Sequence, residues 1–354
     1  MNDSLQAKIP VGILGATGTV GQRFIQLLAD HPWFEIAALA ASDRSAGKPY
    51  AQACHWLQSA PIPDPIGAME VQPLEADLDC RVVFSALPSD VAAQVEERCA
   101  RAGNAVCSNA SAHRMDEDVP LLVPEVNPEH TALIEVQRRR RGWPGLIATS
   151  ANCSTTQLVL ALKPLHEAFG LRALSIVTLQ AVSGAGYPGV ASLDILGNVV
   201  PYIGGEEEKL ETETIKMLGR LAEGVIHPAE TVISAQCNRV PVRDGHVECI
   251  SAAFEDKPDL AALISALETF RGPPEVADLP STPEQPIRVR REPDRPQPLL
   301  DRDAGGGTAV TVGRVRPCPV LDYKWVLLGH NTLRGAAGGS IHNAELLVRQ
   351  GYIA

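Results

Sequence analysis

Cys153 sits in Ser150-Ala151-Asn152-Cys153-Ser154-Thr155-Thr156, after a short apolar run (146–148) and before a stretch with helical spacing (154–169). A thiol at a helix amino terminus feels the positive end of the dipole, which favours the nucleophilic thiolate. Spacing alone leaves a buried structural cysteine as the alternative. Further on, Asn238-Arg239-Val240-Pro241-Val242-Arg243-Asp244-Gly245-His246 carries two candidate partners, Arg239 and His246, which a strand with a turn brings within reach of one site. A histidine near a thiolate manages protons, and the planar fork of Arg239 suits a carboxylate. The chain has nine histidines, so this reading of His246 competes with an ordinary surface or core histidine. A third element is Gly15, Gly18 and Gly21, which follow an apolar run and open a helical stretch. Glycines there let the chain turn tightly and let a pyrophosphate reach the helix amino terminus. The spacing is GxxGxxG rather than GxGxxG, and a purely structural turn remains the alternative.

These residues need elements to hold them. Apolar runs at 8–14, 34–40, 81–86 and 105–108 read as strands, and 22–30 and 89–102 have helical spacing. Strands alternating with helices predict a parallel sheet with right-handed crossovers. Beyond residue 150 the pattern changes. Runs at 174–182, 239–254 and 308–317 alternate and carry β-branched residues, which predicts a mostly antiparallel sheet. Helices are expected at 154–169, 206–218, 258–267 and 335–350, and residues 272–307, rich in Pro, Asp and Arg, read as an exposed excursion. The predicted architecture is α/β: a Rossmann-type dinucleotide-binding domain (1–150 with a carboxy-terminal helix, 335–354) and an α+β catalytic domain (151–334). The loop after the second strand offers Ser42, Arg44, Ser45 and Lys48, which suit the 2′-phosphate of NADP, whereas Asp43 would repel it.

Composition narrows the class. The 354 residues carry a formal net charge of −11, which argues against nucleic acid or an anionic membrane as partner. No apolar run is long enough to span a bilayer, and the amino-terminal stretch lacks a secretory pattern, so a cytoplasmic protein is expected. The eight cysteines form no CxxC pair and read as reduced thiols, with no metal site expected. Arg138 to Arg141 read as a solvated helix end.

The chain resembles aspartate-semialdehyde dehydrogenases of the type found in archaea and fungi. The likeness is carried over almost the whole length by GILGATGTVGQRF, SDRSAGKPY, FSALPSDVA, SNASAHRM, VPEVN, ANCSTTQ, LQAVSGAGYPG, GEEEKLETET, CNRVPVRDGHVE, DRPQPLLDRDAGGG and HNTLRGAAGG. The Ser150-Ala151 pair departs from what relatives often carry. The resemblance implies that Cys153 is the nucleophile, His246 the acid–base and Gln180 the residue that orients the substrate. It implies that Arg239 clamps the substrate α-carboxylate and Glu206 its ammonium, while Lys209, Arg114 and Asn152 hold phosphate. Which of the carboxylates at 206–208 faces the site stays open, with Glu207 and Glu208 expected in solvent. It implies NADP(H) contacts from Gly15, Thr17, Gly18, Thr19, Val20, Ser85, Ser183, Gly184 and Asn331.

The reaction implied is reversible NADPH-dependent reduction of aspartyl-4-phosphate to aspartate 4-semialdehyde through a cysteine thioester. The resemblance also implies small-molecule substrates and a homodimer or homotetramer, with 151–334 as the dimerisation domain. A malonyl-CoA or succinyl-CoA reductase on the same scaffold is the nearest rival. Glu206 with Arg239 suits an amino-acid zwitterion, and Arg114 with Lys209 suits phosphate, which separates the two.

Overall fold

The computed structural model describes residues 7–354; the start of the amino-terminal stretch judged above for a leader lies outside them. Seven strands form the first sheet: β1 (Ile9–Leu14), β2 (Phe34–Ala41), β3 (Val71–Pro73), β4 (Val82–Ser85), β5 (Ala105–Ser108), β6 (Leu121–Leu122) and β7 (Leu146–Ser150). Their order is β3-β2-β1-β4-β5-β7-β6, and every pairing is parallel. Every residue of β4, β5 and β7 is buried, as expected of strands covered on both faces. The chain reverses direction across the sheet between β1 and β4, the switch point where open α/β sheets bind ligands at the strand carboxyl ends. β3 and β6 were not foreseen, because two or three residues show no periodicity.

The first helix (Thr19–Leu28) starts three residues before the expected 22. Gly21 lies within it, and a Cβ there would meet the Gly15 carbonyl oxygen at 2.3 Å. That glycine is what allows the helix to pack on the loop.

The second sheet corrects one expectation and qualifies another. The strand expected at 239–254, with a turn that lets Arg239 and His246 reach one site, is two strands separated by that turn at 240–245. β8 (Leu171–Gln180) is followed by the short hairpin β9 (Arg220–Ala222) and β10 (Val225–His227). Then come β11 (Val232–Arg239), β12 (His246–Phe254), β13 (Ile287–Arg290), β14 (Val310–Pro317) and β15 (Tyr323–Gly329). The order is β11-β8-β12-β15-β14-β13. β11 runs parallel to β8 and β13 parallel to β14; the other three pairings are antiparallel. Residues 272–307 are only partly an exposed excursion. They supply edge strand β13, and Val276 and Leu279 are buried against Leu346 of the last helix.

Two helices tie the halves together. The helix Cys153–Phe169 packs on β8, β12, β14 and β15, and Leu158, Val159, Leu160, Ala161, Leu162 and Leu165 are each fully buried. Residues 154–162 are buried on every side, which makes this a core helix. Burying each of the Leu and Val side chains stabilises the fold by roughly 1.5–3 kcal/mol, so the amino terminus of this helix is rigidly placed. The last helix (Gly338–Arg349) begins after a distorted turn, Leu333–Ala337, and packs on β4, β5 and β7 of the first sheet.

Candidate active site

Cys153 is the first residue of the core helix, and Asn152 caps it. The Asn152 Oδ1 accepts from the Ser154 N–H at 2.9 Å and from the Thr155 N–H at 3.4 Å. Asn and Asp favour this position because their side chains reach otherwise unpaired helix amides. Gly335 packs directly against Cys153, since a Cβ there would lie 2.7 Å from the Cys153 Cβ. The helix dipole does not decide the thiol's state. Burial pushes it up to about 12, Glu206 adds to this, and Arg114 and Arg239 oppose it. The expectation of a lowered thiol pKa is therefore reversed: desolvation outweighs the dipole.

β11 and β12 flank β8, one parallel and one antiparallel. Arg239 lies beside Gln180 in the register, and Val247 beside Leu179. Gln180, Arg239 and His246 thus meet at one end of the sheet, where Cys153 also lies. His246 is fully buried, and its Nδ1 accepts from the Ala181 N–H at 3.0 Å. That bond places the proton of the neutral ring on Nε2, which has no partner. Burial, followed by Arg239 and His330, pushes its pKa down to about 3. Gly184 leaves this edge open: a Cβ there would lie 3.1 Å from Nε2 and 2.8 Å from the Arg239 Nη1. Arg239 is itself fixed by donating from Nη1 to the Ala181 carbonyl at 2.8 Å.

Glu206, at the start of the helix Glu206–Met217, is the buried member of its acidic run, whereas Glu207 and Glu208 are exposed. Its carboxylate accepts from Asn152 Nδ2 at 3.0 and 2.9 Å, from Lys209 Nζ at 2.9 Å and from Gln180 Nε2 at 3.3 Å. Burial alone would raise its pKa; Lys209, Asn152 and Gln180 together hold it below the usual carboxylate range. Arg114 is buried and donates to Glu213 at 2.9 Å and to the Asn109 carbonyl at 2.7 Å.

Four contributors escaped the reading of the sequence. Glu213 accepts from Arg114 with one oxygen and from the Asn152 N–H with the other at 2.7 Å, joining Arg114 to the turn that carries Cys153. Its place two helical turns after Glu206, on the same buried face, was the available signal. Lys216 donates to the carbonyls of Arg114, Asp116 and Val119, which orders the loop that carries Arg114. Gln157, one turn after Cys153, donates to the His246 carbonyl at 3.1 Å and to Glu248 at 2.6 Å. Burial pushes Glu248 up to about 8.

A cavity of about 210 Å³ opens between the two sheets' loops, lined among others by Thr19, Arg23, Ser183, Tyr187, Asp244 and Thr332. At its edge lies a turn suited to a dinucleotide's pyrophosphate. Gly15 adopts φ +73°, Gly18 caps the first helix without a side chain, and Thr19 Oγ1 is buried with no partner. Thr17 and Val20 flank this turn, half-buried. Asn331 accepts from the Gly245 N–H and donates to Ser183 Oγ, each at 2.9 Å, so it braces the loop before His246. Ser85, at the end of β4, is buried with an unpartnered hydroxyl. In the loop after β2, Ser42, Asp43, Arg44 and Lys48 are exposed, whereas Ser45 is buried. Lys48 Nζ donates to the Arg44 carbonyl at 2.6 Å. Among the described residues no group of three or more His, Cys, Asp or Glu is arranged to hold a metal ion.

A dinucleotide-type groove facing a cysteine–histidine–arginine site defines a class, and comparisons with known proteins agree. Residues 10–134 match the family model described as semialdehyde dehydrogenase, NAD binding domain, and 162–334 that of its dimerisation domain. The chain belongs to the aspartate-semialdehyde dehydrogenase family. It is 53% identical to the aspartate-semialdehyde dehydrogenase of Methanothermobacter thermautotrophicus, over 96% of this chain and 99% of the relative. It is 52% identical to that of Archaeoglobus fulgidus, over 96% and 98%. The crystal structure of the Candida albicans enzyme with NADP superposes with a TM-score of 0.90 at 48% identity, covering 98% of this chain and all of that one.

Proposed function

We infer that the chain reduces L-aspartyl-4-phosphate to L-aspartate 4-semialdehyde with NADPH, reversibly, as a step of aspartate-family amino-acid biosynthesis (lysine, methionine, threonine and isoleucine). The observation that carries this reading is the convergence of Cys153, His246, Gln180, Arg239, Glu206 and Arg114 on one end of the second sheet, facing the glycine loop. Relatives named for this activity at about half identity favour it over a CoA-thioester reductase. Glu206 and Arg239 supply one carboxylate and one guanidinium, the pair that an amino-acid ammonium and carboxylate require.

In this reading Arg239 and Glu206 hold the zwitterion and Gln180 orients the acyl carbon. Arg114, Lys209 and Asn152 take the phosphate, and cations there stabilise charge on the leaving oxygen. The Cys153 sulfur–carbon bond forms as the carbon–oxygen bond to phosphate breaks, and the thiol proton leaves with phosphate. His246, with Nδ1 occupied, presents Nε2–H to the carbonyl oxygen as it gains charge. It is also the acid–base group for release of the aldehyde. NADPH, when bound, supplies the hydride that reduces the acyl carbon. Gly15, Thr17, Gly18, Thr19 and Val20 would hold its pyrophosphate, and Ser42, Arg44, Ser45 and Lys48 its 2′-phosphate. Ser85, Ser183, Gly184 and Asn331 would line the rest.

The cofactor unit is taken as 1–150 with 335–354, because the last helix packs on the first sheet; 151–334 is the catalytic and dimerisation unit. The exposed Tyr187, Leu193, Leu196, Val199 and Tyr202 support self-association through that unit as a homodimer or homotetramer. Eight free cysteines fit a reducing cytoplasm. The test is phosphate-dependent reduction of NADP by aspartate semialdehyde beside a Cys153→Ala control. NADPH formation that vanishes in the control supports the assignment; turnover without phosphate, or persisting in the control, overturns it.

A further inference from the structure

We propose that Glu206 and Lys209 form a displacement device: the substrate's ammonium group takes Lys209's place on Glu206 and thereby delivers Lys209 to the phosphate. The inference rests on the assignment of Glu206 to the ammonium and Lys209 to the phosphate, and it adds that the two subsites are coupled.

The argument is a count of lone pairs. An ionised carboxylate has about four acceptor sites. All four of Glu206 are engaged: Oε1 by Asn152 and Lys209, Oε2 by Asn152 and Gln180. An arriving ammonium must displace a donor. Asn152 is held elsewhere, because its Oδ1 caps the Cys153 helix and its N–H is bound by Glu213. Gln180 is 1% exposed and has no room to withdraw. Lys209 is different. Its side chain is 33% exposed, it sits on a flexible stem, and its ammonium loses least on turning away. One cation replaces another at Glu206, so the charge there is conserved. Lys209 then adds a positive charge beside Asn152, whose main chain is already linked through Glu213 to Arg114.

The device makes the amine more than a handle. A four-carbon acyl group without it leaves Lys209 on Glu206 and faces phosphate with Arg114 and Asn152 alone. Discrimination against des-amino compounds therefore extends to the phosphate step. Linkage requires reciprocity, so phosphate must tighten the amine-bearing ligand by the same factor.

The probes are inorganic phosphate with L-2-aminobutyrate or butyrate, which carry the zwitterion or the carboxylate alone and have no reacting carbon. The full-length protein with NADP is used, and phosphate affinity is read from protection of Cys153 against iodoacetamide. L-2-aminobutyrate is expected to tighten phosphate by ~5-fold or more, the lower end of typical coupling between sites, and butyrate to leave it unchanged. In Glu206→Gln the effect of the amine disappears and phosphate binds more tightly at the outset. In Lys209→Met the effect disappears while phosphate stays weak. An unchanged or weakened phosphate affinity, with L-2-aminobutyrate shown to compete against aspartate semialdehyde, overturns the coupling and leaves the subsites standing. Failure of L-2-aminobutyrate to compete, or of phosphate to protect, removes the subsite assignments and the coupling with them.

Discussion

Replacing Glu213 by Gln tests whether the buried link between Arg114 and the Cys153 turn sets phosphate recognition. The two side chains have nearly the same shape, so the cavity is unchanged. Glu213 accepts from the Arg114 guanidinium at 2.9 Å and from the Asn152 N–H at 2.7 Å, with both side chains at least nine-tenths buried. A Gln can present its one oxygen to one of these donors and must turn its amide N–H toward the other. The backbone N–H is fixed by the helix cap, so it keeps the oxygen and Arg114 loses its partner. One hydrogen bond to a charged group contributes about 1.5–3 kcal/mol. If all of it falls on the placement of Arg114, the KM for phosphate rises roughly 10- to 150-fold. The KM for aspartate semialdehyde should change little, since Arg239 and Gln180 do not touch Glu213. The assay is steady-state NADP reduction with phosphate and aspartate semialdehyde varied in turn, beside Arg114→Ala. An unchanged phosphate KM in Glu213→Gln, with a large rise in Arg114→Ala, would refute the positioning role. Equal loss on both substrates would point to general loosening of the site.

Gly184→Ala places a methyl group 2.8 Å from the Arg239 Nη1 and 3.1 Å from the His246 Nε2; kcat/KM for aspartate semialdehyde should fall at least tenfold with thermal stability unchanged, and wild-type kinetics would mean that His246 works from another edge. The thiol of Cys153, pushed up to about 12, gains thiolate as pH rises toward that value, so its alkylation by iodoacetamide should climb steadily from pH 7 to pH 9.5; a plateau near neutral pH would contradict the burial argument. With its pKa near 3, His246 should give no ionisation limb in kcat/KM between pH 5 and 8. Glu125→Gln leaves Arg334 buried without the carboxylate that now takes both its Nη atoms, at 2.8 and 2.6 Å, and should cost roughly 3–5 kcal/mol in urea unfolding. Glu125 is depressed from 4.5 to about 2, so its contribution is full above pH 4.5 and lost as pH falls through 2; a variant with wild-type acid sensitivity in that window would show that the pair contributes little.

Much of this was legible in the residues because local rules and the fold agree. The strands at 34–41 and 105–108 and the helix Ser89–Ala102 stand where their apolar spacing puts them. Gly103, in the left-handed region at φ +104°, ends that helix as expected of a glycine after the last turn. The errors have physical causes. β15 (Tyr323–Gly329) lies outside the three runs expected to form the second sheet, although Tyr323, Trp325, Leu327 and Leu328 are buried in its core. The Cys153 thiol was misjudged because the helix dipole is visible in a sequence and desolvation is not.

The turn at 240–245 was legible in the sequence; the opposite directions in which its two strands pair with β8 were not. Read as one strand, 239–254 would place Arg239 and His246 on opposite faces, since an odd separation of seven alternates sides. They would then serve different surfaces. The turn removes that parity, and placing β11 parallel and β12 antiparallel on either side of β8 brings both residues to the strand end that carries Gln180. The glycine at 245, with φ +100° and its N–H bound by Asn331, shapes the turn just before His246. Asn331 also holds Ser183, on the loop that carries Gly184, so the residues that shape the cofactor groove and those that aim His246 are one hydrogen-bonded unit. A change at Asn331 should therefore disturb cofactor affinity and turnover together, whereas a change at Gln157, which holds His246 from the opposite side through its carbonyl, should lower turnover with cofactor affinity intact. NADP affinity measured by fluorescence on Asn331→Ala and Gln157→Leu separates the two, and equal effects of the substitutions would dissolve the distinction.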